Sequence, residues 1–268
     1  MRQGADRTAL FRDAGVYPRT QLRKELFPGV PSGVVARDEL VDHRRGKGRN
    51  PHGCSGEVGS IAHIPDGVLS VPVLAAGAAV TAGALALALS RLDYERIPQA
   101  AVLAATFFVV SVIHVPLGPG SVHLLLNGLM GLVLGWSAVP AILVGLMLQA
   151  AFFGYGGLIV LGVNTMNLVL PALACSALFG AAVCRTRGRR QFWLGAAAGA
   201  LGVFLTAVLM SVSLALSGRE LMPAAQVILA AYLPLILAEA AVTGAVIAFL
   251  GRVAPEVLSL QPSGVQPE

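Results

Sequence analysis

Groups able to do chemistry are scarce in the second part of this 268-residue chain, and that scarcity makes them legible. From Ile97 to Cys184 there is no Asp, Glu, Lys or Arg. Against that background His63, His114 and His123 stand out, with Asn127, Gln149, Asn164, Asn167 and Glu239 as polar company. Imidazole nitrogen suits nickel, cobalt, copper and zinc, and planar nitrogen sites suit Ni(II) or Cu(II). His63 precedes a Pro65-Asp66-Gly67 turn that can fold the chain back. His123 follows Gly118-Pro119-Gly120-Ser121. If both face one membrane surface, they can meet at its mouth and hold a metal ion. The competing reading gives each histidine a backbone group to satisfy at a helix end.

Other chemistries find less support. Cys54, Cys175 and Cys184 show no paired ligand spacing, and the last two fall in a helical pattern as small hydrophobes. A metallohydrolase built from His114, His123 and Glu239 lacks a His-Glu-x-x-His motif, and no nucleophile stands in a recognisable turn. A stand-alone secondary transporter could use Glu239 as a proton-coupling carboxylate. The chain has no nucleotide-binding Gly-x-x-x-x-Gly-Lys-Ser/Thr, so ATP-driven work requires other subunits.

The elements that must position these residues are apolar helices. The chain is 56% hydrophobic and 12% charged, where soluble domains carry roughly 25% charged residues. The expectation is an all-α polytopic membrane protein of about seven transmembrane or partly inserted helices. The spans read as Val71–Ser90, Ala100–Val115, Val122–Ser137, Pro140–Phe153, Met166–Cys184, Phe192–Leu216 and Ala224–Leu250. Residues 1–60 hold 11 of the 19 basic residues and read as a solvated, disordered leader, not a nucleic-acid site. The membrane domain covers 61–251 and a tail covers 252–268. The small-residue stripe Gly195 to Gly199 with Gly202 suits close helix packing, within the chain or against a partner.

Basic residues orient the spans. Loops after spans one, three, five and seven carry Arg91, Arg96, Arg185, Arg187, Arg189, Arg190 and Arg252, whereas the opposite loops carry only Arg219. The rule places the Arg185–Arg190 loop in the cytoplasm and His63 outside, in the plasma membrane. The leader then lies on the wrong side unless the mature protein lacks it.

Ala62-His63-Ile64-Pro65-Asp66-Gly67 resembles the Met-His-Ile-Pro-Asp-Gly amino terminus of the CbiM/NikM family, the substrate-binding components of energy-coupling-factor transporters for cobalt and nickel. Gly120-Ser121-Val122-His123 with Asn127, Gly156-Gly157-Leu158 through Asn164-Thr165, and Glu239 with Thr243-Gly244 resemble three later motifs of that family, in order. The resemblance implies a planar four-nitrogen site. Its ligands are a terminal amine, the amide and imidazole of the adjacent histidine, and a second histidine. Carried over, the ligands are His63, His123 and Ala62 as the mature terminus, with Asp66, Ser121, Asn127 and Asn164 as supports.

The resemblance further implies that Ni(II) or Co(II) is cargo, with no permanent cofactor. It implies partners too: a transmembrane coupling subunit, cytoplasmic ATPases and a small accessory membrane subunit. Cobalt-type relatives read Ser-His-Pro-Thr-Gly at the second histidine, so Val122-His123-Leu124 favours nickel, with cobalt for cobalamin biosynthesis as the other assignment. Tyr155 stands where many relatives have histidine and receives no ligand role. Here the family's terminal methionine is Ala62 behind 61 residues, so a free amine requires their removal. Cleavage after Ile61, or initiation at 61 followed by loss of the methionine, would achieve it.

Overall fold

The computed structural model describes residues 63–112, 115–117 and 120–258. Ala62, His114, the basic leader and the last ten residues lie outside them. The order is α1 (Val71–Ser90), α2 (Ile97–Val110), β1 (Val115–Leu117), β2 (Gly120–Val122), α3 (Asn127–Leu134), α4 (Ala138–Phe153), α5 (Leu161–Arg185), α6 (Arg189–Ser217) and α7 (Met222–Val253). β1 and β2 form a small antiparallel hairpin in which Val115 pairs with Val122. The protein is a multi-pass helical membrane protein.

Local chemistry sets several helix ends. α1, α2 and α7 each begin with proline in the first turn, where its missing N–H costs nothing. Pro98 therefore starts α2 at Ile97, ahead of the expected Ala100. Pro171 and Pro234 sit inside α5 and α7 without ending them. Neighbouring helices can compensate for the lost hydrogen bond in a membrane. The largest departure is the third span. Expected over Val122–Ser137, it is helical only from Asn127 to Leu134. Residues 123–126 run irregularly, and Leu126 takes a left-handed φ of 49°.

Among the described residues, five apolar segments are long enough to cross a bilayer: α1, Asn127–Phe153, α5, α6 and Arg219–Val253. The second of these folds back on itself. Gly135 breaks it, and a short 3-10 turn (Gly135–Ser137) links α3 to α4. At that turn the Arg91 guanidinium lies 4.7 Å from the Trp136 ring, beside the C-terminus of α1. Both outer ends of the segment return to the N-terminal side of α1, where His123 and Gly156 meet the His63–Asp66 stretch. α3 and α4 thus run in opposite directions.

The two ends of the bundle differ in charge. Gln99 Nε2 donates to the Val257 carbonyl, Cys184 Sγ to Leu258 and Arg187 Nη1 to Gly251, which gathers the loops around Arg91, Arg96, Arg185–Arg190 and Arg252 at one end. The opposite end carries Arg219 and the His63 mouth.

Small residues are used for internal contact. A Cβ on Gly195 would lie 2.9 Å from Ile247 Cβ, one on Gly199 2.6 Å from the Glu239 carbonyl, and one on Gly202 3.0 Å from Asn127 Oδ1. The stripe therefore packs α6 against both α7 and α3. Outward, exposed Leu87, Phe152, Leu178 and Leu237 present an apolar surface suited to lipid.

Candidate metal site

His63 begins an arm that runs to Ser70 before α1. The arm is held through its backbone groups and the Asp66 carboxylate. Asn164, in the first turn of α5, clamps the Ile64 peptide from both sides. Its Oδ1 accepts the Ile64 N–H at 3.3 Å and its Nδ2 donates to the Ile64 carbonyl at 3.1 Å. Asp66 fixes the next turn: its N–H donates to the Gly156 carbonyl at 2.9 Å, and its Oδ1 accepts from Val160 N–H at 2.9 Å. Gly67 supplies the φ of 85° that turns the arm toward α1.

The loop after α4 fits around this arm only because it is glycine there. Gly156 and Gly157 have φ of 77° and 126°. A Cβ on Gly156 would stand 2.7 Å from Asn164 Nδ2, and one on Gly157 would strike the Asp66 carboxylate. Next to them, the Tyr155 ring lies nearly parallel to His63, interplanar 14° and 6.3 Å between centroids.

His123 reaches the same place from the other side. β2 delivers it, and the irregular residues 123–126 lead into α3. Glu239 of α7 grips this stretch, its Oε1 accepting from the N–H of Leu125 and, at 2.8 Å, of Leu126. Asn127 ties the start of α3 to α6, its Nδ2 donating to Thr206 Oγ1 at 2.7 Å and to the Gly202 carbonyl at 3.3 Å. Asn127 therefore supports the loop from one step away.

The outcome is a pair of imidazoles with Nε2 atoms 3.1 Å apart. Both rings are buried; His63 keeps 7% of its surface and His123 none. His123 Nδ1 lies 2.8 Å from the Leu124 carbonyl oxygen, which can only accept. The Nδ1 of a neutral ring therefore carries the proton, leaving the Nε2 lone pair toward His63.

Two chemical states fit. His63 can donate its proton across the gap, or both nitrogens can present lone pairs to a cation. With metal–nitrogen bonds of about 2.0 Å, adjacent ligands sit roughly 2.8 Å apart at right angles and roughly 3.3 Å apart in a tetrahedron. The observed gap lies between. Among the described residues no group of three His, Cys, Asp or Glu side chains could hold a metal.

The structure thus brings together His63 and His123, and places Asp66 and Asn164 on the backbone that carries His63. Ser121 lies on β2 in the chain leading to His123. Ala62 and His114 fall outside the described residues. Glu239, a candidate by its polarity at membrane depth, was not among the expected ligands or supports. A lone carboxylate at membrane depth signals a costly group in need of partners, but nothing in residues 125 and 126 reveals that their amides supply them.

Residues 63–257 match the CbiM family, the cobalt uptake substrate-specific transmembrane region. A putative metal transport protein of Haemophilus influenzae is 40% identical over 204 residues, covering 74% of this chain and 97% of that protein. The fused nickel transport protein NikMN of Rhodobacter capsulatus is 31% identical over 233 residues, 77% of this chain and 66% of its own length. Among solved structures, a truncated transition metal transporter superposes with a TM-score of 0.59 at 25% identity, over 70% of this chain and 97% of that one. Family match, relatives and fold agree that this chain belongs to the CbiM family and is a membrane-embedded component of nickel or cobalt transport, not an enzyme.

Proposed function

We propose that the protein captures Ni(II) or Co(II) at an extracytoplasmic mouth and passes it across the plasma membrane as the substrate-specific component of an ATP-driven transporter. The observation that carries this reading is the 3.1 Å approach of His63 and His123 Nε2, with the His123 tautomer already suited to ligation. Ligation by imidazole favours late transition metals over magnesium and calcium, which take oxygen. The Val122-His123-Leu124 sequence and the nickel-named relatives favour nickel.

The full site includes the amine of Ala62 and the amide nitrogen of His63. Amine, amide and imidazole from two adjacent residues form fused chelate rings, so little ordering remains when the ion arrives. This requires a mature chain that begins at Ala62. Loss of the leader also removes its 11 basic residues from the outer side, in keeping with the Arg-rich end as cytoplasmic. Asp66, Ser121, Asn127 and Asn164 brace the ligands. ATPases and a transmembrane coupling subunit supply the energy, with a small accessory membrane subunit as a further partner.

The test uses protein expressed from its native gene. Intact mass and metal content are measured together, then Ni(II) and Co(II) are titrated into the parent, His63→Ala and His123→Ala. We expect a mass beginning at Ala62, stoichiometric metal in the parent, and loss of tight binding in both variants. A mature mass that retains residues 1–60 would refute the amine ligand. Parent-like binding by His123→Ala would refute the histidine pair. Metal uptake by the chain without ATPase partners would identify a secondary transporter instead.

A further inference from the structure

Glu239 is fully buried in α7, deep in an apolar bundle, and its carboxylate is met by backbone amides. Such a group persists in a membrane when it serves a structure that needs it. Its Oε1 binds two consecutive amides, Leu125 and Leu126, two and three residues after His123. These amides lie at the entry to α3, where the first N–H groups of a helix lack intrahelical acceptors. The residue at the cap position is Leu126, which has no side chain to fill that role and a φ of 49°. A carboxylate from another helix, 113 positions away, does it instead.

The surroundings leave few other restraints on this stretch. The Leu124 and Leu126 side chains line an apolar cleft of about 410 Å³, bounded by Leu103 and Val110 of α2 and by Val242 and Val246 of α7. The polar side chain in its lining, Thr106, donates its hydroxyl to the Val102 carbonyl of its own helix. On the other flank, Asn127 fixes only the start of α3.

We propose that Glu239 is a positioning residue for the metal: its Oε1 holds the Leu125–Leu126 peptide in the one register that brings His123 Nε2 to His63 Nε2. The inference rests on the two-histidine reading of the site. It makes α7 part of the binding apparatus, although α7 contributes no ligand.

Only one carboxylate oxygen is engaged. Oε2 has no hydrogen-bond partner among the described residues, nor has Thr243 Oγ1 one turn further on. An amide oxygen accepts as Oε1 does, so Glu239→Gln keeps both bonds to the loop. Glu239→Leu keeps bulk but leaves two buried amides without an acceptor. Glu239→Asp withdraws the acceptor by one methylene.

The experiment titrates Ni(II) into the full chain and records the ligand-field absorption of the bound ion, with His123→Ala beside it. We expect Glu239→Gln to bind within about threefold of the parent with the same absorption band. Glu239→Leu should bind about 10–100-fold more weakly with a displaced band, the range typical of lost support behind a metal ligand. Glu239→Asp should fall toward the leucine variant, and it replaces that variant if the leucine protein fails to elute as a folded species. Parent-like affinity and band in Glu239→Leu or Glu239→Asp would overturn the proposal, as would equal loss in the glutamine variant. If His123→Ala binds like the parent, the fault lies in the two-histidine site itself, so the two failures are distinguishable.

Discussion

Replacing Asn164 with alanine removes the clamp on the arm while leaving both histidines intact. Two hydrogen bonds disappear, from Ile64 N–H and to Ile64 O. Ile64 is 2% exposed, so its peptide groups lose their partners in a buried setting. Each such loss costs about 1–3 kcal/mol, and about 2–4 kcal/mol together is a fair sum for one peptide with some room to relax. That is roughly 30- to 700-fold in the equilibrium between docked and undocked arm. Apparent affinity scales with the fraction of protein whose arm is docked. We therefore expect Asn164→Ala to weaken Ni(II) binding by at least about tenfold. Asn164→Asp keeps the acceptor but loses the donor, and should fall between alanine and parent. Chelator competition in detergent reads the affinity, and thermal unfolding reads the fold. The unfolding midpoint should stay close to the parent, because the helices of the bundle do not depend on the arm. Binding by Asn164→Ala within about twofold of the parent, with the fold intact, would refute the reasoning that arm docking governs the site.

Other outcomes follow from the same geometry. Gly156→Ala forces a Cβ to 2.7 Å from Asn164 Nδ2 at a φ of 77°. It should cost about 1–2 kcal/mol of stability in the backbone alone and weaken metal binding, read by unfolding midpoint and chelator competition. For topology, a cysteine at Arg190 should be shielded from an impermeant reagent in intact cells, and one at Ser217 should react, in a background without Cys54, Cys175 and Cys184. The reverse labelling would place the metal mouth in the cytoplasm.

Much of the helical frame was readable because lipid-facing helices leave a simple mark. α1 was delimited at Val71 and Ser90 by a flanking turn and by Arg91. The third span was misread because composition cannot distinguish an apolar helix from an apolar loop buried among helices. His123-Leu124-Leu125-Leu126 looks helical, yet it is irregular, and a carboxylate from α7 holds the amides of Leu125 and Leu126. The β1–β2 hairpin went unforeseen for a related reason: its pairing lies in backbone register, and the Pro and Gly residues there were read only as the end of a span. The expected start of α5 at Met166 fell five residues late, since Leu161-Gly162-Val163-Asn164 gives no charge or proline to mark an entrance. At the site, the histidines were visible by type. The glycines that admit the arm and the carboxylate behind His123 act on backbone, and backbone partners leave no signature in the partner's sequence.

The contacts that build the mouth also impose an order on biosynthesis. Ile64 awaits Asn164, 100 residues later, and Leu125 awaits Glu239, another 114 residues on from itself. At about 5–20 residues per second, each wait lasts roughly 5–20 seconds after the earlier segment leaves the ribosome. During that interval α1 and the α3–α4 hairpin are already long enough to enter the bilayer, but the histidines have no fixed relation. If the His63–His123 pair is the metal site as proposed, its selectivity is acquired late, once α7 is in place. A nascent chain that ends before residue 239 lacks the carboxylate that holds the Leu125 and Leu126 amides, so the loop behind His123 is the last part of the mouth to be fixed.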